Sequence, residues 1–306
     1  MSAEGKVVLV TGGARGMGRE IVRGFIKEGS KVIATDVSWM PTGVSNDTDD
    51  FFAEIKGNPN VLAATMDITI QAHVDFVYKQ AIEKFGTIDV IICNGGTRQR
   101  DLFHETHGSV TVLETEVNDW QRMFDTHVFG NLRVIKRFVQ PMIEKGRGSI
   151  ITSASGQIVN AHPRATDTEK EGPGQRFGMS REGPYQPAKM ALGAMSIYLA
   201  EELKSYNIAV NTMLPGHTAT TGSDEQEQVR NEIRQRLSPS QNTFIPRRVR
   251  ADNVVPLSLY LAEQDAEGVS GRWISCMEYN EQNGFGGFET WGVAEDIAAL
   301  KAAGRM

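Results

Sequence analysis

The sequence predicts an α/β fold in which helices cover both faces of a parallel sheet. Short apolar runs rich in β-branched residues alternate with segments of helical periodicity along most of the chain. The apolar runs are continuous, as expected for strands that are buried on both faces. Because alternating strands and helices form parallel sheets through right-handed crossovers, we expect a doubly wound sheet.

The apolar runs predict seven strands in chain order. They cover residues 6–12, 31–36, 60–69, 88–96, 148–155, 208–216 and 271–276. Helical periodicity predicts connecting helices at residues 17–29, 73–86, 117–146 and 188–207. A glycine closes each of the first two helices, and Pro141 is expected to bend or end the third.

Length and composition indicate one cytoplasmic domain. No linker, repeat or low-complexity tract divides the 306 residues, so we expect residues 1–306 to form a single domain. The net charge of −6 disfavours a nucleic-acid or acidic-membrane partner. No apolar stretch approaches the ~20 residues that span a bilayer. Two cysteines without a CxxC pair, and no signal-peptide pattern, fit a reducing cytoplasm.

A glycine-rich segment, TGGARGMG, follows the first predicted strand and opens the first helix. Its spaced glycines are Gly12, Gly16 and Gly18. Glycines allow a tight turn that brings backbone N–H groups close to a pyrophosphate, and the helix N-terminus adds its positive dipole end. This context predicts a dinucleotide site, with a ligand-free glycine turn as the alternative.

An acidic residue, Asp36, ends the second predicted strand. A carboxylate at this point accepts hydrogen bonds from both hydroxyls of an adenosine ribose and repels a 2′-phosphate. Arg15 could instead attract a 2′-phosphate, whereas Val37 adds no positive charge. We therefore expect NAD rather than NADP. Taken alone, Asp36 would be interpreted as a solvated turn residue.

Tyr185 precedes Lys189 by four residues near the start of the fourth predicted helix. This spacing places both side chains on one helical face, where an ammonium group would lower the tyrosine pKa from its usual ~10. The pair would then form an acid/base unit for proton transfer. Pro187 lies between them and is tolerated in a first helical turn. A chance spacing is the alternative.

Five motifs occur in an order that resembles the short-chain dehydrogenase/reductase family in its compact single-domain form. TGGARGMG matches the family's TGxxxGxG loop, and YQPAK matches YxxxK. MDIT, CNGG and VNTMLPGHTAT stand where the family has its adenine contact, its NNAG segment and its nicotinamide-flanking segment. The resemblance covers roughly residues 5–276. It implies a Rossmann-like, seven-stranded sheet in the order 3-2-1-4-5-6-7.

The resemblance also implies which residues bind the cofactor. Asp67 and Ile68 would contact the adenine. Lys189 would hold the nicotinamide ribose, with Thr218 and Thr220 on the carboxamide. The full implied set is Gly12, Arg15, Gly16, Met17, Gly18, Asp36, Asp67, Ile68, Asn94, Gly95, Tyr185, Lys189, Pro215, Gly216, Thr218 and Thr220.

The implied reaction is NAD(H)-dependent hydride transfer that interconverts a secondary alcohol and a ketone. The implied catalytic residues are Ser155, Tyr185 and Lys189, with the serine orienting the substrate oxygen. A gapless alignment of the fifth strand selects Ser155, whereas alignment on the following glycine selects Ser153. We prefer Ser155, because the gapless strand keeps its apolar residues in register.

Three features depart from the family pattern. His127 stands where the family has an asparagine that holds a water near the lysine, so it either anchors that water or is a packed ring. Residues 157–184 are inserted between serine and tyrosine. Together with residues 97–104 and 222–250 they are hypothesised to wall the substrate site, or else to form a surface or subunit contact. Residues 278–306 extend past the seventh strand and carry aromatic residues that would pack on something, such as a neighbouring subunit.

Family members are commonly dimers or tetramers, so we expect a homo-oligomer that acts on a small-molecule alcohol or ketone. No metal is expected, because His104 and His107 lack a supporting cluster of ligands. The rival class is a non-catalytic dinucleotide-binding regulator, which need not keep the serine, tyrosine and lysine. An epimerase or dehydratase of the same fold is a third interpretation, which the GxxxGxG spacing disfavours.

Overall fold

A seven-stranded parallel sheet forms the centre of the molecule. The computed structural model describes residues 3–41, 50–155, 182–220, 232 and 247–306. The strands are β1 (Val7–Thr11), β2 (Lys31–Asp36), β3 (Val61–Thr65), β4 (Val90–Cys93), β5 (Gly148–Ser153), β6 (Ile208–Leu214) and β7 (Trp273–Ser275). They pair in the order β3-β2-β1-β4-β5-β6-β7. The predicted fold class and strand order are confirmed.

Helices lie on both faces of this sheet. Within the described ranges the α-helices are α1 (Gly16–Lys27), α2 (Phe51–Ile55), α3 (Gln71–Phe85), α4 (Gln99–Leu102), α5 (Val117–Phe124), α6 (Asn131–Phe138), α7 (Gln140–Lys145), α8 (Tyr185–Leu203), α9 (Val255–Ala262), α10 (Cys276–Gln282), α11 (Phe288–Trp291) and α12 (Ala294–Ala302). A π-helical turn, Asp125–Gly130, joins α5 to α6. None of the helices described here is long and apolar enough to cross a membrane.

Two apolar layers hold the helices to the sheet, because successive strand residues point to opposite faces. On one face Ile91 shares a cluster with Phe138 of α6 and Leu203 of α8. On the other face Ile92 shares a cluster with Phe25 of α1. Phe25 is fully buried, and burying a side chain of this size contributes about 2 kcal/mol. Both layers fix helices that carry residues of the cavity described below.

The sequence predicts one helix over residues 117–146, and the structure interrupts it twice. Pro141 lies in the first turn of α7, so the expected break at this proline is confirmed. The π-helical turn before α6 is not predicted, because nothing in the local sequence specifies its wider hydrogen-bond pattern. It places His127 on the inner side of the helix, where the side chain is buried.

Helix α8 corresponds to the fourth predicted helix. It begins at Tyr185, three residues before the predicted start at residue 188. Pro187 therefore lies in the first turn, where its missing N–H has no intrahelical partner to lose. Because the strands are parallel, the carboxyl ends of β1, β2, β4 and β5 all lie at one edge of the sheet. The start of α8 lies at this same edge.

Two of the three segments that are hypothesised to wall the substrate site lie largely outside the described residues. Of the inserted loop 157–184, only residues 182–184 are described, and most of residues 222–250 also lie outside. Residues 97–104 are described and include α4. The hypothesis that these segments set substrate shape stays a prediction.

The C-terminal tail packs on the chain itself through its aromatic residues. The Trp291 indole N–H donates to the Phe285 carbonyl at 3.0 Å. Phe285 in turn stacks on Tyr279 of α10, with ring centroids 6.2 Å apart. The expected packing of these aromatic side chains is therefore found within one chain.

Candidate active site

A cavity of about 700 Å³ opens at the carboxyl edge of the sheet. A volume of this size is typical of cofactor and small-molecule sites. It is lined by residues that follow β1, β2, β3, β4 and β5 and by the start of α8. The lining includes these residues that the sequence predicts: Gly12, Arg15, Gly16, Met17, Asp36, Asp67, Ile68, Asn94, Gly95, Tyr185, Lys189 and Thr220.

The other predicted residues are not part of the described lining, namely Gly18, Ser155, Pro215, Gly216 and Thr218. Gly18 is inside α1, where a Cβ would overlap the Gly12 carbonyl oxygen at 1.9 Å. The Thr218 hydroxyl donates to the Gly216 carbonyl at 3.0 Å. Gly18 thus serves helix packing, and Thr218 serves the turn that leads to Thr220.

Gly12 brings the glycine-rich loop close to the residues that follow β4. Its φ is +66°, and a Cβ here would lie 2.8 Å from the Gly95 Cα, so only glycine fits. Helix α1 begins at Gly16, where the described residues include no side-chain cap and no acidic residue in the first turn. The free N–H groups and the positive end of the helix dipole suit a phosphate group. The loop therefore fits a dinucleotide pyrophosphate.

Asp36 lies at one end of the cavity, which we call the aspartate end (Asp36, Asp67 and Ile68). The Asp36 carboxylate accepts a hydrogen bond from the Ala14 N–H at 3.0 Å. It also pairs with the Arg15 guanidinium at 3.5 Å. Backbone and side chain of the glycine-rich loop thus hold this carboxylate in place.

Tyr185 and Lys189 lie at the other end of the cavity. Strands β1 and β4 separate this end from β2, which carries Asp36. We call this the tyrosine end (His127, Tyr185 and Lys189). The Lys189 Nζ lies 5.7 Å from the Tyr185 ring centroid and donates to the Ser153 carbonyl at 2.8 Å. The backbone of β5 thus anchors the lysine next to the tyrosine.

Burial governs the protonation of this pair. It lowers the pKa of Lys189 to about 8 and raises the pKa of Tyr185 to about 12. Desolvation is the cause of the tyrosine shift, because a phenolate that leaves water loses its hydration. The expectation that the Lys189 ammonium lowers the tyrosine pKa stays a prediction.

His127 packs directly on the tyrosine. The two rings meet edge to face with centroids 5.3 Å apart, and the His127 Nε2 lies 2.8 Å from the Thr97 carbonyl oxygen. Burial lowers the pKa of His127 to about 3, so the ring is neutral. Nε2 then carries the proton that Thr97 accepts, and Nδ1 is a buried acceptor without a partner among the described residues.

A glycine makes room for this ring. A Cβ on Gly96 would lie 2.2 Å from the His127 Cε1. Packing of His127, one of the two interpretations offered by the sequence, is therefore present. The other, a water held by the histidine, stays a prediction.

Gln99 is a site residue that sequence reasoning missed. Its side chain is buried, donates from Nε2 to the Gly108 carbonyl at 2.6 Å, and accepts from the Tyr185 N–H at 3.2 Å. The N–H groups of a first helical turn have no intrahelical partner, so Gln99 caps α8 at the tyrosine itself. The two residues are 86 positions apart, and no local pattern reveals the contact.

The two candidate serines are placed differently. The Thr152 hydroxyl lies 2.8 Å from the Ser196 hydroxyl of α8. Successive side chains of a strand point to opposite faces, so the Ser153 side chain points to the face of the sheet away from α8. Ser153 nevertheless lines the cavity, and its carbonyl oxygen accepts a hydrogen bond from Lys189. Ser155 is half-buried just past the end of β5. The choice of serine stays a prediction.

The two histidines of residues 97–116 lie in a surface turn. His104 is exposed, and His107 follows it with a left-handed φ of 47°. Within the described ranges no group of three or more His, Cys, Asp or Glu side chains is arranged to hold a metal ion.

A sheet of this topology with a nucleotide-sized cavity at its carboxyl edge defines the class of dinucleotide-binding α/β proteins. Within that class, the chain belongs to the short-chain dehydrogenase/reductase family of oxidoreductases. The family model described as short chain dehydrogenase matches residues 6–166. The model described as Enoyl-(Acyl carrier protein) reductase matches residues 173–276. The resemblance inferred from the five motifs is confirmed.

Two curated relatives illustrate the similarity. Fluoren-9-ol dehydrogenase of Terrabacter sp. (strain DBF63) is 35% identical over 290 residues, which cover 94% of this chain and 75% of that protein. The 3-oxoacyl-(acyl-carrier-protein) reductase of Salmonella typhimurium is 29% identical over 220 residues, which cover 72% of this chain and 76% of that protein.

Solved structures share the fold. The crystal structure of 3-ketoacyl-(acyl-carrier-protein) reductase from Brucella melitensis complexed with NADH has a TM-score of 0.68 and 21% identity, covering 90% of this chain and 97% of that one. Levodione reductase has a TM-score of 0.65 and 20% identity, covering 90% and 96%. At these identities the likeness concerns the fold alone.

Proposed function

We propose that this protein is an NAD(H)-dependent oxidoreductase that interconverts a secondary alcohol and a ketone. The observation that carries the proposal is the pair formed by half-buried Tyr185 and buried Lys189, which lines the same cavity as the glycine-rich loop. Such a reaction needs a hydride donor or acceptor, a group that exchanges a proton with the substrate oxygen, and a site from which water is excluded.

A bound nicotinamide would supply the hydride donor or acceptor. In ketone reduction Tyr185 gives its hydroxyl proton to the substrate oxygen as the carbonyl carbon receives the hydride. Its raised pKa of about 12 keeps this hydroxyl protonated at neutral pH. Alcohol oxidation is the reverse: Tyr185 must first lose its proton to solvent, and its phenolate oxygen then accepts the hydroxyl proton of the alcohol as the hydride leaves the carbon. Ser155 is proposed to orient the substrate oxygen.

Lys189 is proposed to bind the nicotinamide ribose. An ammonium group has three N–H donors. One of them goes to the Ser153 carbonyl, which leaves donors for ribose hydroxyls. This placement makes Lys189 part of the cofactor site as well as a neighbour of Tyr185.

NAD is proposed rather than NADP. The Asp36 carboxylate would accept hydrogen bonds from the ribose hydroxyls of NAD and would repel a 2′-phosphate. Arg15 is paired with that carboxylate at 3.5 Å, which weakens its ability to attract the phosphate. The proposed cofactor residues are those implied by the family motifs, including Pro215, Gly216 and Thr218, which are outside the described lining of the cavity.

The proposed substrate class is a secondary alcohol or its ketone. The 35% identical relative is named for fluoren-9-ol, a secondary alcohol on a rigid aromatic framework. We also propose a cytoplasmic homo-oligomer, dimer or tetramer, in which residues 1–306 form one domain. Met190, Ile197 and Tyr198 on α8 are 40%, 50% and 73% exposed and offer apolar surface for a subunit contact. Light scattering that gives the monomer mass would contradict the oligomer.

The test is the absorbance of reduced nicotinamide during incubation with a panel of secondary alcohols, fluoren-9-ol included. We expect NADH to form from NAD faster than NADPH forms from NADP. Direct binding of NADH, followed by fluorescence, is measured in parallel. Binding without turnover of any alcohol or ketone in the panel would favour the non-catalytic regulator. No binding of either cofactor would overturn the proposal.

A further inference from the structure

The residues that lead from β6 into the cavity form a backbone ladder with a distant segment. Val249 makes a parallel bridge with Thr218. The Val249 N–H donates to the His217 carbonyl, and the Ala219 N–H donates to the Val249 carbonyl, both at 2.8 Å. The path of the chain just before Thr220 is therefore fixed by Val249 rather than by β6.

The C-terminal tail adds a third backbone segment, which pairs with Val249 on the side opposite Thr218. Val249 makes a second, antiparallel bridge with Gly292, and the Arg250 N–H donates to the Trp291 carbonyl at 2.8 Å. We call the whole arrangement the three-segment ladder. It consists of residues 217–219, 248–250 and 291–293.

A buried ion pair fastens the ladder to helix α12. The Arg248 guanidinium donates to both Asp296 oxygens, at 3.0 and 2.6 Å, and the Arg248 backbone N–H donates to the same carboxylate at 2.7 Å. The side chain of Asp296 is 3% exposed and that of Arg248 is 14% exposed. Asp296 also lies in the first turn of α12, where the helix dipole favours a negative charge. Charge-assisted bonds of this bidentate kind fix geometry tightly.

The ladder ends at the cavity. Thr220 lines the cavity and follows the ladder residue Ala219 directly. A Cβ on Gly16 would lie 3.3 Å from the Thr220 Cγ2, so Thr220 lies over the start of α1 and the glycine-rich loop. The position of Thr220 above the phosphate site is thus connected through the backbone to Arg248 and Asp296.

We propose that Asp296 is a positioning residue for the nicotinamide half of the cofactor, acting through Arg248 and the three-segment ladder on Thr218 and Thr220. This inference rests on the proposed function, in which those threonines contact the nicotinamide. Because Thr220 also lies over the glycine-rich loop, we expect a smaller effect on the pyrophosphate. We expect none on the adenosine, since no ladder residue belongs to the described lining of the cavity.

The test compares two ligands on the full-length protein, NADH and ADP-ribose, the second of which lacks the nicotinamide. Asp296→Asn keeps the size of the side chain and removes its charge. We expect its Kd for NADH to rise about tenfold, within the range of couplings carried by packed networks. Its Kd for ADP-ribose, which keeps the pyrophosphate, should rise by no more than about threefold. The melting temperature is recorded for each protein.

Glu54→Gln is the matched control, because Glu54 also receives a bidentate arginine, Arg23, but does not line the cavity. It should change neither Kd. Arg248→Lys keeps the positive charge but cannot donate two parallel hydrogen bonds to Asp296. It should therefore lose less NADH affinity than Asp296→Asn, with the same selectivity for NADH over ADP-ribose. This second variant decides the matter if Asp296→Asn does not fold.

Equal weakening of both ligands, or wild-type affinity for NADH in Asp296→Asn and Arg248→Lys, would overturn the positioning role. Failure of the proposed cofactor site gives a different result, because the wild-type protein would then bind neither NADH nor ADP-ribose. Failure of the proposed reaction is detected separately, as binding of NADH without turnover of the alcohol panel.

Discussion

The two ends of the cavity use their polar groups in opposite ways. At the aspartate end, Asp36 is held by the Ala14 N–H and the Arg15 guanidinium, so its negative charge has fixed partners. At the tyrosine end, Lys189 is buried and Tyr185 is half-buried. Desolvation raises the tyrosine pKa and lowers the lysine pKa, so the neutral form of each is favoured. One end holds a charge in place, and the other makes charge costly to keep.

This difference corresponds to two tasks. Recognition of a ribose needs an acceptor whose position and charge do not change. Proton transfer needs groups whose protonation changes when a ligand or substrate changes their surroundings. We therefore expect substitutions at the aspartate end to alter cofactor affinity, and substitutions at the tyrosine end to alter turnover and the pH dependence of stability.

Tyr185→Phe should separate the two ends most clearly. Phenylalanine keeps the ring that packs on His127 and removes the proton donor, so kcat should fall about 10³-fold, as for loss of a general acid. The Kd for NADH should change by less than about threefold, because the aspartate end is untouched. Tyr198→Phe, an exposed tyrosine on the same helix, is the control. Turnover that survives in Tyr185→Phe would contradict the assigned role.

Lys189 should make stability rise with pH. Its pKa falls from 10.5 to about 8 on folding, so between these values the unfolded chain binds a proton that the folded protein has lost. The contribution of Lys189 to the free energy of unfolding should therefore increase by about 2 kcal/mol from pH 8 to pH 10. The Cys93 and Cys276 thiols and Tyr185 oppose it, because burial raises the pKa of each.

Lys189→Met provides the comparison for this effect, since it lacks the titrating group and keeps a side chain of similar length. Urea unfolding of both proteins across the pH range measures the difference between them. If the free energy of unfolding of wild type and variant changed equally with pH, burial would not lower the pKa of Lys189.

Asp36→Asn should act on the aspartate end alone. The amide keeps one acceptor and loses the charge, so the KM for NAD should rise about tenfold while kcat at saturating NAD stays near the wild-type value. Discrimination against NADP should weaken, because the repulsion of a 2′-phosphate is gone. Steady-state kinetics with both cofactors measures this, with Asp75→Asn as a control outside the cavity. A loss confined to kcat would contradict the division between the two ends.

Gln99→Leu should give the smallest effect, again at the tyrosine end. Leucine fills the buried space and leaves the Tyr185 N–H without its acceptor, and loss of a helix cap costs about 1 kcal/mol. We expect kcat to fall about fivefold with no change in the KM for NAD. Gln99→Glu keeps an acceptor and should retain more activity than the leucine variant. Equal rates for wild type and Gln99→Leu would remove Gln99 from the site.

Much of the fold and of the aspartate end follows from the sequence, because the signals are local. Continuous apolar runs predict the strands, and a strand–glycine–helix pattern predicts the loop that contains Gly12 and Gly16. Asp36 is found by its position at a strand end. Each of these inferences needs only a few neighbouring residues.

The tyrosine end is less readable because its properties depend on the folded surroundings. The spacing of Tyr185 and Lys189 is visible in the sequence, but the direction of the tyrosine pKa depends on burial, which spacing does not give. The contacts of Gln99 and Asp296 join segments 86 and 48 residues apart. A glutamine or an aspartate at such positions has no local feature that distinguishes it from a surface residue.

The π-helical turn Asp125–Gly130 makes the site sensitive to changes in chain length. A π-turn amounts to one extra residue inserted into an α-helix. Deleting one residue there would restore a regular helix and leave Met123 and Val134 on the buried side, while His127 would lose its place against Tyr185. A one-residue deletion at this turn is therefore expected to move His127 away from Tyr185 while the flanking helices keep their buried faces, a change that a point substitution does not produce.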